Sequence, residues 1–165
     1  MSISSWEFKS PPGHKNMKLV SACLIGIKCR YDGKSNLNRK CLKLFKKGEL
    51  IPICPEQLGG LSTPRSPQQI QKGTGEDVLK GKCKVKNKIG KDVTEKFIKG
   101  AKETLKIAKA LGTKKAILKA RSPSCGCGEI YDGTFSGKLI EGDGVTTALL
   151  KRNKIKVYTE LDEVL

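Results

Sequence analysis

Three cysteines each follow an apolar run. Met17-Lys18-Leu19-Val20-Ser21-Ala22 leads into Cys23, and Glu49-Leu50-Ile51-Pro52-Ile53 leads into Cys54. Ala116-Ile117-Leu118 leads into Arg121-Ser122-Pro123-Ser124-Cys125-Gly126-Cys127-Gly128. Short apolar runs bounded by turn residues read as buried strands. Each strand then delivers a cysteine at its carboxyl end, the edge where open α/β sheets bind ligands. Three thiolates converging there would form a metal site with one position left open.

The spacing narrows the metal. Cysteines two residues apart, as in common ferredoxins and zinc ribbons, are absent among these three. Distant thiolates fit a 4Fe-4S cluster with three protein ligands and one open iron, a soft site that favours sulfur. The residues alone leave other readings open, since Cys29 or Cys127 could add a fourth ligand. Histidine occurs once, at His14. If residues 1–16 are an extension, a Cys2His2 zinc site and a Ser-His-Asp triad are excluded. A catalytic acid or base must then be a carboxylate, Lys, Tyr or Cys. Glu56, two residues after Cys54, is one such group, although its spacing equally fits a surface carboxylate.

The rest of the chain must position these groups. At 165 residues it has the length of one domain with a real core. No apolar run approaches the ~20 residues of a membrane span. Residues 1–16 lack the apolar segment of a signal peptide and show no period, so they are read as an added or disordered extension without function. Seven cysteines without a secretory signal fit a reducing, cytoplasmic setting. The net charge is +17, from 33 basic and 16 acidic residues, and such a field attracts phosphate. Few aromatics and no RNA-motif signature favour a small anion, or mere solubility, over an RNA-binding module with a structural metal.

In chain order, strand one spans 17–22 and strand two 49–53. Between them Ser35 or Asn36 caps a helix that carries Leu37, Cys41, Leu44 and Phe45 on one face and ends at Gly48. Cys41 on that face reads as core packing. Residues 54–67 read as a loop, and 72–91 as a Lys/Gly-rich hairpin or flap with Cys83 at a turn. Asp92 and Glu95 form a capping-box pattern before a helix with Phe97, Ala101, Leu105, Ala108 and Leu111 at helical spacing, closed by Gly112. Strand three spans 115–120, a helix 145–152, and a last strand 155–158. Tyr131-Asp132-Gly133 echoes Tyr31-Asp32-Gly33, either by coincidence or as one turn used twice around a site. The expected fold is a single Rossmann-like α/β domain over 17–165, with a mostly parallel sheet flanked by helices.

The motifs resemble a known family. Ser21-Ala22-Cys23-Leu24-Ile25-Gly26, Arg30-Tyr31-Asp32-Gly33, Cys54-Pro55-Glu56, Gly59-Gly60-Leu61, Pro64-Arg65, Asp92-Val93-Thr94, Ser122-Pro123-Ser124-Cys125-Gly126 and Ile130-Tyr131-Asp132-Gly133-Thr134-Phe135 together look like the thiouracil desulfidase family, from Met17 to about Tyr158. The resemblance implies a 4Fe-4S cluster on Cys23, Cys54 and Cys125, a thiocarbonyl sulfur on the free iron, and Glu56 and Ser122 as catalytic groups. Cys127 lies outside the family's pattern. The reaction expected is hydrolytic removal of sulfur from a thiolated uracil or its nucleotide, such as 4-thiouridine monophosphate. Arg65, Ser124 and Asp32 are expected at the substrate. A sulfurtransferase that hands the sulfur to an acceptor is the alternative, and oligomeric state is not legible.

Overall fold

The computed structural model describes residues 17–163. The extension expected over 1–16, with His14, lies outside the described residues. Four strands form one parallel sheet: β1 (Lys18–Ser21), β2 (Leu50–Ile53), β5 (Lys115–Leu118) and β8 (Lys156–Thr159), in the order β2-β1-β5-β8. Ser21 pairs with Ile53 and Val20 with Ile117, so β1, β2 and β5 end level.

Side chains alternate across this sheet. Val20, Leu50 and Ile117 pack on one face with Cys41 and Leu44 of α1 (Arg39–Lys46). Leu19, Ile53, Ala116 and Leu118 pack on the other with Ala108 of α4 (Thr94–Ala110) and Leu150 of α5 (Val145–Arg152). Helices therefore cover both faces, as a parallel sheet requires. Cys41 is fully buried in that core, as expected. No helix among the described residues is long and apolar enough to cross a membrane.

Two antiparallel hairpins stand beside the sheet's carboxyl edge. One pairs β3 (Gln68–Ile70) with β4 (Val85–Asn87), and the other pairs β6 (Glu129–Tyr131) with β7 (Leu139–Glu141). The flap expected over 72–91 holds only the second strand of its hairpin, since β3 lies before that range, and the connection forms a helix, α3 (Gly75–Leu79). The Thr74 N–H donates to Asp77 Oδ2 (3.0 Å) at the start of α3. This capping-box contact sits where the sequence reading placed only a flap. Asp92 instead accepts the Thr94 N–H (3.0 Å) two residues on, and Val93 takes the cap position of α4. Asn38, rather than Ser35 or Asn36, caps α1, accepting the Cys41 N–H (3.0 Å).

A short helix, α2 (Pro55–Leu58), occupies the stretch read as loop, with Cys54 at its N-cap and Pro55 pre-set for the first turn. It crosses α4 backbone to backbone. A Cβ on Gly100 would overlap the Pro55 carbonyl, and one on Gly59 would overlap the Lys96 carbonyl. Two glycines thus let α2 lie down on α4 and fix the helix that carries Glu56. Gly100→Ala is expected to cost about 1–3 kcal/mol by forcing the helices apart. Lys99→Ala, on the exposed face, should stay within about 0.5 kcal/mol. Urea-unfolding midpoints of the two variants check this.

Candidate active site

A cavity of about 490 Å³ opens at the carboxyl edge of the sheet. Cys23, Cys54 and Cys125 all line it, one from beyond each of three adjacent strands, and so does Cys29. Among the described residues no three Cys, His, Asp or Glu side chains close around a single metal-ion position. The four thiols share the walls of one cavity. An all-thiolate set around a space suits a soft, multi-iron group better than one hard cation.

Each thiol is placed by the local chain. Cys23 sits in the 3-10 turn Ala22–Ile25 that continues β1, and left-handed Gly26 (φ 100°) ends that turn. Cys54 caps α2. Cys125 follows a loop gripped by the N-terminus of α5. The carbonyls of Pro123 and Ser124 accept the Val145 and Thr146 N–H groups (2.9 Å each), and Thr147 Oγ1 donates to the Cys125 carbonyl (2.8 Å). The helix's open donors and the loop's open acceptors satisfy each other. Burial pushes the Cys125 thiol up to about 12, with hydrogen bonds to Ser21 and Ser124 pulling the other way.

Cys29 is the member that sequence reasoning left undecided. The neighbouring Cys23 thiol is the largest cause of a Cys29 value raised to about 11, and the Cys29 carbonyl accepts from Cys54 Sγ (3.9 Å). Cys29 in turn is the largest cause of a raised Cys54 thiol, and burial adds to it. Cys29 has no strand behind it because a pinned loop carries it: Asn36 and Asn38 donate back to the Cys23 and Leu24 carbonyls. Cys127 points elsewhere, toward the Val157 carbonyl (3.6 Å), and does not line the cavity. Cys83 lies against the Thr74 carbonyl (3.8 Å), also outside it.

Glu56 lines the cavity and pairs with Arg65, Nε to Oε2 at 2.7 Å. Burial raises its carboxyl above the ordinary range, and Arg65 offsets this in part. The Arg65 side chain is only 5% exposed. It also donates to the Cys29 carbonyl (3.1 Å), the Ser62 carbonyl (3.1 Å) and Thr63 Oγ1 (3.0 Å). Those contacts occupy the fork of Arg65, the residue expected at the substrate, and tie it to Glu56. Ser122 lines the cavity, and its Oγ accepts the Ser124 and Cys125 N–H groups (3.1 Å each). With its lone pairs engaged, its O–H remains free to donate.

The other two expected substrate residues stand back. Ser124 is buried, with Oγ 2.9 Å from Thr146 Oγ1, and it supports Cys125 rather than facing the cavity. Asp32 pairs with Arg30 (3.3 Å), and it is Arg30 that lines the cavity. The Tyr-Asp-Gly echo is the same turn used twice. Tyr31 and Tyr131 both line the cavity, Asp32 and Asp132 accept the N–H two residues on, and Gly33 and Gly133 are left-handed. Two further wall residues, Arg121 (φ 65°) and Phe135 (φ 60°), hold conformations uncommon for residues with a Cβ. Glu160 braces the floor: it pairs with Lys119 (2.6 Å) and accepts the Ala120 N–H (2.8 Å) just before Arg121.

Fold and site together define an α/β domain with a thiol-lined cavity at the edge of its parallel sheet. The chain belongs to the 2-thiouracil desulfurase family, whose pattern matches residues 19–162. It is 52% identical over 144 residues to the uncharacterized protein YbbK of Bacillus subtilis (strain 168), covering 87% of this chain and 95% of that one. Its structure is similar to that of the 4Fe-4S-dependent thiouracil desulfidase TudS, with a TM-score of 0.78 and 42% identity over 88% of this chain and 91% of that one.

The Arg65–Glu56 pair makes a stability prediction. Arg65→Met leaves a buried carboxylate without its counter-charge and should cost about 3–5 kcal/mol. Adding Glu56→Gln removes that charge and should restore much of the loss. Urea titration of the single and double variants measures both.

Proposed function

We propose that this protein is a 4Fe-4S-dependent desulfidase that replaces the sulfur of a thiolated uracil, or of its nucleotide, with oxygen from water and releases sulfide. The observation that carries the reading is the convergence of Cys23, Cys54 and Cys125 on one cavity beside Glu56 and Ser122. Family membership and the likeness to TudS support it. Cys23, Cys54 and Cys125 would hold the cluster, leaving one iron without a protein ligand. The cluster, when bound, supplies a Lewis-acidic iron for the thiocarbonyl sulfur and draws electrons from the ring carbon.

The protein's own groups handle water, protons and the ring. Glu56 takes the proton of the water that adds to the ring carbon. A buried carboxylate with a raised pKa is suited to hold and return that proton. Arg65 keeps the carboxylate at the cavity wall. Ser122 donates its free O–H to the ring and orients it. Tyr31, Tyr131, Pro67 and Phe135 give the ring apolar walls. A nucleotide's phosphate would fall to Lys88 and Arg121, which also line the cavity, because Arg65 is engaged. The cytoplasm, with its reducing poise, is the proposed setting.

The test is anaerobic sulfide release from thiolated bases, nucleosides and nucleotides, with iron and sulfide content measured for every variant. Cys23→Ala, Cys54→Ala and Cys125→Ala should each lose the cluster. Cys41→Ala, Cys83→Ala and Cys127→Ala should keep it. Glu56→Gln should keep the cluster and lose roughly 10²–10⁴ in turnover. Full turnover in Glu56→Gln would remove Glu56 from the chemistry. Sulfide released only when an acceptor thiol is added would make the protein a sulfurtransferase.

A further inference from the structure

Gln68 opens β3, lines the cavity and is 8% exposed. Its neighbours use their amides within the protein. Gln69 Oε1 accepts the Gly133 and Phe135 N–H groups (3.0 Å each), and Gln71 Nε2 donates to the Gly133 carbonyl (3.0 Å). Asn87, across the hairpin from Gln68, accepts the Ile89 and Lys91 N–H groups. The Gln68 amide has no such partner among the described residues. Yet no fully buried side-chain nitrogen or oxygen there is left unpaired. Both ends of the amide therefore reach open space, and the open space that Gln68 borders is the cavity. Polar groups this deep are normally hydrogen-bonded, so the amide is open to a ligand that displaces cavity water.

We propose that Gln68 reads the edge of the substrate ring, with Nε2 donating to a ring carbonyl oxygen and Oε1 accepting the adjacent ring N–H. An amide offers one donor side and one acceptor side, and a lactam edge offers the complement. The inference rests on the desulfidase reading and deepens it by fixing the substrate class: a thiolated ring that keeps an N–H beside a carbonyl. Both 2-thiouracil and 4-thiouracil meet that requirement at N3, and a sugar on N1 leaves the edge free. The hairpin then supplies recognition twice, since Gln68 faces the edge while Gln69 anchors Phe135 at the cavity wall.

The experiment crosses protein and ligand. Anaerobic sulfide release is measured for the holoprotein and its Gln68→Met variant, each on 2-thiouracil and 3-methyl-2-thiouracil. Binding of sulfur-free uracil to both proteins is measured by calorimetry. The methyl group should raise the wild-type KM about tenfold or more, because it strips the N–H that the site is built to accept. Gln68→Met should raise the KM for 2-thiouracil by on the order of tenfold, leave kcat within about twofold, and no longer distinguish the methylated ring. The ligand-side arm needs no variant, so a poorly folding Gln68→Met does not block the test.

Equal wild-type KM for the two rings, or an unchanged KM in Gln68→Met, would overturn the assignment while the desulfidase reading stands. No sulfide from either ring would count against the desulfidase reading, and uracil then decides the role of Gln68. Binding weakened at least tenfold by Gln68→Met supports it; equal binding, or none to the wild type, overturns it.

Discussion

The site depends on one constraint, the parallel register that ends β1, β2 and β5 in a single row. Once the three ends are level, a thiol needs only a short reach to enter a shared space. Cys54 stands next to the last residue of β2, Cys23 two residues beyond β1, and Cys125 at the end of the longer loop after β5. The longer reach is the one that needs support, and α5 supplies it through its N-terminal N–H groups. Gly144 permits this approach, since a Cβ there would overlap the Ser124 carbonyl. A helix terminus more familiar as an anion site is used here to hold a loop.

Arg65 is the second joint. A buried guanidinium that meets Glu56, the Cys29 carbonyl and the 62–63 turn links the loop after β1 to α2 and to the approach of β3. Buried ion pairs give little net stability because desolvation consumes most of the attraction. What the pair does supply is a fixed carboxylate. Burial raises Glu56 and Arg65 pulls it partly back, so the group is held nearer to proton exchange than an exposed carboxylate would be. The same fork turns the donors of the only arginine in the 54–67 stretch toward Glu56 and the surrounding backbone.

The four strands of the parallel sheet, α4, α5 and the three converging cysteines were legible because each rests on a local pattern: an apolar run, a helical period, a glycine stop; β3, β6 and β7, of three residues each, were not. What the sequence hid follows from its locality. α2 is a single turn, too short to show a period, and its existence depends on a glycine contact with α4 far along the chain. α3 sits in a Lys/Gly-rich segment whose composition masks a real N-terminal cap at Thr74 and Asp77. Ser124 and Arg65 carry residue types that suit a ligand, yet Thr146 and Glu56, distant in sequence, claim their polar atoms first. Cys29 shows the reverse: no strand leads into it, so the sequence left its role open, and tertiary folding brings it to the cavity beside Cys54.

The cavity is thereby divided between two kinds of support. The parallel sheet and its helices hold Cys23, Cys54, Cys125, Glu56 and Ser122, all on backbone tied by ladders, caps or helix termini. The two hairpins hold Gln68, Tyr131 and Phe135, whose settings depend on a few side-chain amides and left-handed turns. The net charge of +17 acts on neither part directly. At physiological salt a surface lysine's field fades within about 8 Å, so the lysine faces can gather anions at the protein but cannot choose among them. Choice falls to groups inside the cavity, where water is displaced and an unpaired amide or carboxylate has most effect. A change in ring preference should therefore track the hairpins, and a change in the ability to cleave a carbon–sulfur bond should track the sheet edge.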